Sequence, residues 1–125
     1  MPAKEKTSPH RTSLWQILAG VSGFSALVLG AIGAHAVANK HAAELIEKAS
    51  LYQLIHTAVI LLMAVSDRYL RFARLLFLAG IILFCGSIYL KALLGWHEIA
   101  RVAPLGGMAF MLGWLLIAWG GMRRS

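Results

Sequence analysis

The sequence predicts an all-α membrane protein: a bundle of four transmembrane helices with both termini in the cytoplasm. Three observations carry this reading. First, Asp, Glu, Lys and Arg are absent between Arg11 and Lys40, Lys48 and Asp67, Arg74 and Lys91, and Arg101 and Arg123. A helix crossing the hydrocarbon core needs about 20 apolar residues, with a range of roughly 17 to 25, so each gap can hold one span. Second, 59% of the 125 residues are hydrophobic and 14% charged, whereas a soluble domain carries about 25% charged residues. Third, Lys and Arg are unequally divided between the two sets of chain ends and loops. Short cytoplasmic loops concentrate these residues, and placing the N-terminus inside puts eight there (Lys4, Lys6, Arg11, Arg68, Arg71, Arg74, Arg123, Arg124) against four outside (Lys40, Lys48, Lys91, Arg101).

Residues 1–13 are polar, contain two prolines, and read as a disordered cytoplasmic tail. The four-helix domain occupies 14–125. Ser13 with Gln16 has the capping-box spacing, and the first span runs over about 14–37. Within it Ser22, Ala26, Gly30 and Ala34 recur every fourth residue, a stripe of small side chains where another helix can approach closely. A signal peptide ending at Ala34-His35-Ala36 is the rival reading. The apolar run exceeds the roughly 7 to 15 residues of such segments, which favours a retained span.

Asn39 is placed to cap a second helix that begins in polar sequence and enters the bilayer as a span over about 49–66. The third span covers about 75–94 and contains Cys85, the lone cysteine, which reads as a packing residue. Gly95, Trp96 and His97 form the outer turn. The fourth span runs over about 102–122, with Pro104 in the first turn, where its missing N–H costs little. Gly106 and Gly107, also near that end, read as close-packing residues. The net charge of +7 is explained by topology. The basic residues form no stripe interleaved with aromatics, so no nucleic acid partner is expected.

Polar residues inside a membrane are functional leads, because each needs a partner where water is absent. Tyr52, Gln53 and His56 fall within two turns of the second helix, and the antiparallel third helix brings Ser87, Tyr89 and Lys91 to the same outer half. His35 lies near the outer end of the first helix. The inner half carries little beyond Gln16 and two serines, so a continuous ion route is not expected. A hydrogen-bond cluster of Tyr52, Gln53, His56 and Ser87 that fixes helix register is one reading. The other is an outer-leaflet pocket for a quinone, haem or lipid headgroup, built from His35, Tyr52, Gln53, His56, Ser87 and Tyr89. Lys91 reads as reaching for the headgroup level, near Glu44 or Glu47. A metal centre drawn from His35, His41, His56, His97, Glu44 and Glu98 is not expected, since no histidine pair has the i, i+4 spacing of two ligands on one helix face.

Five segments carry a family resemblance: Gly30-Ala31-Ile32-Gly33-Ala34-His35, Tyr52-Gln53-Leu54-Ile55-His56, Gly86-Ser87-Ile88-Tyr89-Leu90, Ala103-Pro104-Leu105-Gly106-Gly107 and Gly113-Trp114-Leu115. In these, over roughly residues 14 to 120, the chain resembles the YgdD-like family of small four-helix proteins of bacterial inner membranes, which has mitochondrial relatives. Cys85 and the charged segment before Tyr52 depart from the family pattern. The resemblance implies an integral protein of the bacterial plasma (inner) membrane, with the mitochondrial inner membrane as the alternative, and carries no mechanism or cofactor with it. The functional expectation is a non-enzymatic accessory or assembly subunit. It would join a larger membrane complex, or itself as a homo-oligomer, through Ser22, Ala26, Gly30 and Ala34. Ligand binding at His56 is the alternative, and a small transporter or channel the third and disfavoured reading.

Overall fold

A computed structural model of the chain describes residues 13–64 and 70–124. The expected tail, apart from Ser13, therefore lies outside the described residues, as do Asp67 and Arg68 of the loop after the second span. The elements are α1 (Leu14–His35), α2 (Lys40–Ala64), α3 (Arg71–Gly80), a π-helical turn (Ile81–Cys85), α4 (Gly86–Leu94), a 3₁₀ turn (His97–Val102) and α5 (Ala103–Arg124). α3, the π turn and α4 run on as one span, so four segments have the length and apolar composition to cross a bilayer: Leu14–His35, Lys40–Met63, Arg71–Leu94 and His97–Arg123.

Local chemistry sets the ends. Ser13 Oγ accepts the Gln16 N–H at 3.2 Å, and Asn39 Oδ1 accepts the Ala42 N–H at 3.0 Å. Each side chain satisfies one of the donors a helix start leaves unpaired. Because Asn39 caps α2, that helix starts at Lys40, well before its apolar part. At the far end of α4, Gly95 takes the left-handed conformation (φ 70°) that ends a helix without a Cβ clash.

Antiparallel pairs organise the bundle. α1 packs extensively against α2 alone. A Cβ on Gly30 would stand 2.7 Å from Ser50 Oγ, and one on Gly33 2.9 Å from Ile46 Cγ2. Ser50 Oγ also donates to the Ala26 carbonyl at 2.6 Å. The small-residue stripe is thus consumed within the chain. Ser22, Ala26 and Gly30 face α2, and Ala34 is exposed beyond the contact. The expectation that this stripe recruits a partner is corrected accordingly, because a seam filled by α2 has no room for a second helix.

The third span and α5 interlock by phenylalanine on glycine. Phe77 lies on Gly113, Phe110 on Gly80, and Phe84 on Gly106, where the Phe84 backbone itself comes too close for any side chain. Gly106 is therefore a packing residue, as expected. Between the two pairs lies the core of Ala49, Ile60, Met63, Ala73, Phe77, Ile81, Cys85 and Phe110. In the π turn the Gly86 N–H reaches the Ile81 carbonyl five residues back, and Cys85 Sγ donates to the Ala49 carbonyl at 3.3 Å.

Arg74 belongs to α3, not to a solvated loop. It is 8% exposed, its Nη1 donates to the Met63 carbonyl at 2.6 Å, and its guanidinium lies 5.0 Å from the centre of the Trp15 ring. One side chain thus holds the last turn of α2, the start of α3 and the start of α1 together, using a hydrogen bond on one side and a cation–π contact on the other.

Candidate functional site

The polar residues of α2 divide into two groups that point to different neighbours. Gln53, 5% exposed, turns toward α1 and α4. Its Nε2 donates to the Ser22 carbonyl and to Ser25 Oγ, both at 2.9 Å, with Ser22 Oγ 3.2 Å away, and its Oε1 accepts the Tyr89 hydroxyl at 2.7 Å. Thr57 Oγ1 adds a 2.7 Å bond to Ser22 Oγ. Both amide hydrogens and the amide oxygen are engaged, so this network ties three helices together and leaves Gln53 no donor to offer a ligand.

His56 turns the other way. It is 4% exposed and lies parallel to Phe110, ring centres 3.8 Å apart with 16° between planes. Phe77 and Trp114 stand roughly edge-on, at 5.2 and 6.0 Å. Trp114 Nε1 donates to His56 Nε2 at 3.2 Å, and His56 Nδ1 is 2.7 Å from the Tyr52 carbonyl. An indole N–H can only donate, so Nε2 must present its lone pair and Nδ1 must carry the proton. His56 is held as the neutral Nδ1–H tautomer, with both nitrogens occupied.

Against this ring a cleft of about 290 Å³ opens sideways between α2, the π turn and α5. Tyr52, His56, Phe84, Phe110, Met111 and Trp114 line it, with Gly107 leaving room at one side. Phe84 makes edge contacts with Tyr52 at 5.3 Å and with Phe110 at 5.8 Å. Tyr52 is 46% and Trp114 44% exposed, so on a membrane-spanning bundle the mouth faces lipid. Among the described residues the Tyr52 hydroxyl has no hydrogen-bond partner.

The six residues expected to form one pocket are therefore not brought together. Tyr52 and His56 share the cleft, while Gln53 and Tyr89 pair on an adjoining face of α2 that looks toward α1 and α4. Ser87, although buried, donates to the Phe84 carbonyl of its own helix at 2.9 Å and joins neither group. His35 is exposed at the end of α1, the helix on the Gln53 side, and is not at the mouth. The depth also differs. Trp114 is the twelfth residue of the 22-residue α5, so the His56 pair sits at mid-span and not in the outer half. Sequence reasoning missed Trp114, Phe110, Phe77 and Thr57 as partners. The one available signal was an aromatic residue at the midpoint of a glycine-rich helix. Among the described residues no three of His, Cys, Asp and Glu converge on a metal-sized space, and Lys91 makes no ion pair with Glu44 or Glu47.

Comparison with known proteins places the chain in a family. Residues 29–107 match the family described as "Protein of unknown function (DUF423)". The chain is 33% identical over 113 residues to a UPF0382 membrane protein of Haemophilus influenzae, covering 85% of this chain and 91% of that protein. It is 36% identical over 115 residues to the UPF0382 inner membrane protein YgdD of Escherichia coli K12, covering 86% and 88%. A UPF0382 membrane protein of Staphylococcus aureus is 32% identical over 111 residues, covering 83% and 91%. No solved structure matches. The chain belongs to the DUF423 (UPF0382) family of integral membrane proteins.

Proposed function

We propose that this inner-membrane protein is a non-enzymatic binding protein whose mid-span cleft takes the flat headgroup of a lipid-phase molecule, with a quinone ring as the best-fitting class. The observation that carries the reading is the cleft's composition: aromatic faces on several sides, the Tyr52 hydroxyl unbonded among the described residues, and an opening toward lipid. Rings stack favourably on such faces, and a carbonyl oxygen can accept the Tyr52 hydroxyl. A haem fits less well, because its iron would need a free histidine nitrogen and Trp114 occupies His56 Nε2. Both termini are assigned to the cytoplasm on the eight-to-four distribution of Lys and Arg. The test is lipid extraction of protein purified in mild detergent. A quinone should accompany the wild type and be lost from Gly107→Leu, which fills the cleft; equal content in both would refute the reading.

The accessory-subunit role is the second reading, and α1 favours it. The extensive packing of that helix is with α2 alone, and Val21, Phe24 and Leu27 are all more than 60% exposed, so a partner helix could lie along this flank. Co-purification of a partner that Phe24→Ala releases would support the role, and isolation of the protein alone under gentle extraction would count against it.

A further inference from the structure

A second cavity, far from the His56 cleft, occupies the end of the bundle that carries the Gly95 turn. It measures about 260 Å³ and lies between the α1–α2 connection, the first turns of α2, the last turn of α4 and the 3₁₀ turn. Asn39, His41, Lys91 and His97 bring hydrogen-bonding and cationic side chains to it from three segments of the chain, while Val37 and Leu45 form an apolar side. None of its lining residues is a carboxylate. Glu44 and Glu47 line a different groove, with Lys48 and Leu51. The Lys91 ammonium therefore has no carboxylate partner among the described residues. The start of the 25-residue α2 adds the positive end of a helix dipole at the same place.

We propose that this cavity binds a phosphate group. The charge has one sign, the donors come from separate elements and converge, and the volume exceeds that of a phosphate alone. Its apolar side suits the glycerol and first methylenes of an anionic phospholipid, and its position at the helix ends is the headgroup level. A soluble phosphate would meet the same donors, so the shared chemistry is a phosphate oxyanion held by Lys91 with His41, His97 and Asn39.

Native mass spectrometry of the full chain in detergent tests this, with phosphatidylglycerol and phosphatidylcholine added separately and inorganic phosphate as competitor. The wild type should retain one phosphatidylglycerol more tightly than phosphatidylcholine. The double variant Lys91→Gln, His97→Gln should weaken it by at least about tenfold, the scale of losing a charge-assisted contact, and Lys91→Arg should keep it. Retention that resists millimolar phosphate identifies a lipid site, and displacement by phosphate a soluble-anion site. Equal phosphatidylglycerol retention by the wild type and the double variant, with no phosphate effect on either, would overturn the proposal. Unchanged circular dichroism of the variants confirms that the comparison is between folded proteins.

Discussion

Trp114 donates its indole N–H to His56 Nε2 at 3.2 Å, bridging α5 and α2 where the two backbones have no extended contact of their own. Replacing Trp114 by Phe keeps a ring and deletes the donor. Interhelical hydrogen bonds in membranes average about 0.6 kcal/mol and reach about 1.7, so the variant should lose about 1 kcal/mol in a detergent unfolding titration. Nitrogen-15 spectra of the imidazole should show the Nδ1–H tautomer in both proteins, because the Tyr52 carbonyl can only accept and holds the proton on Nδ1, with the Nε2 resonance alone shifted in Trp114→Phe by loss of the indole donor.

The phenylalanine-on-glycine contacts predict a sharp division among the glycines. Gly113→Ala would push a methyl into the Phe77 ring and Gly106→Ala one into the Phe84 backbone, and overpacking of this kind costs about 1–3 kcal/mol. Gly20 and Gly86 have open space around them, so Ala there should leave the thermal midpoint within about 1 °C or raise it, Ala being the better helix former. Thermal scans of the four purified variants decide it.

Gln53→Leu should be more damaging than its apolar character suggests. It strands the Tyr89 hydroxyl, while Ser22 and Ser25 lose the amide donor but keep Thr57 Oγ1 and the Ser22 carbonyl as partners, and a buried group left unpaired costs about 1–3 kcal/mol. The companion Gln53→Leu, Tyr89→Phe should recover part of the loss, which a double-mutant cycle in a denaturant titration would measure.

Arg74→Met removes the donor to the Met63 carbonyl and the cation over Trp15. Hydrogen bonds to charged groups contribute about 1.5–3 kcal/mol, so a loss of that order is expected, with a changed Trp15 fluorescence in a variant whose other tryptophans are replaced by Phe.

Cys85 is 1% exposed and bonded to the Ala49 carbonyl. N-ethylmaleimide should leave it unmodified in the folded protein and label it fully after denaturation in dodecyl sulfate. The time course by mass spectrometry checks both.

Much of the fold was legible in the positions of charges. The uncharged gaps located four spans, Ser13 and Asn39 announced the helix starts they cap, and the every-fourth-residue stripe marked a real helix seam. The owner of that seam was not legible, because small side chains look alike whether the approaching helix belongs to the same chain or another. The candidate site was half legible for a geometric reason. Gln53 and His56, three positions apart, differ by only about 60° around a helix axis, and that suffices to send one toward α1 and α4 and the other toward α5. The π turn left no mark at all, since Ile81–Cys85 contains no Pro or Gly and its extra residue appears only as a backbone bond.

The packing of small residues divides the chain into two zipped hairpins, α1 with α2 and the third span with α5. Each is closed along its own length, and the His56 cleft lies on the line between them. Mechanically, the two hairpins are plates bolted to each other by the Gln53–Tyr89, Cys85–Ala49 and Arg74–Met63 bonds and by the apolar core between them. The His56–Trp114 bond is one more such fastening, and the wall of the cleft is assembled from both plates, Tyr52 and His56 from one and Phe84, Phe110 and Trp114 from the other, so the site exists only where the two hairpins are joined.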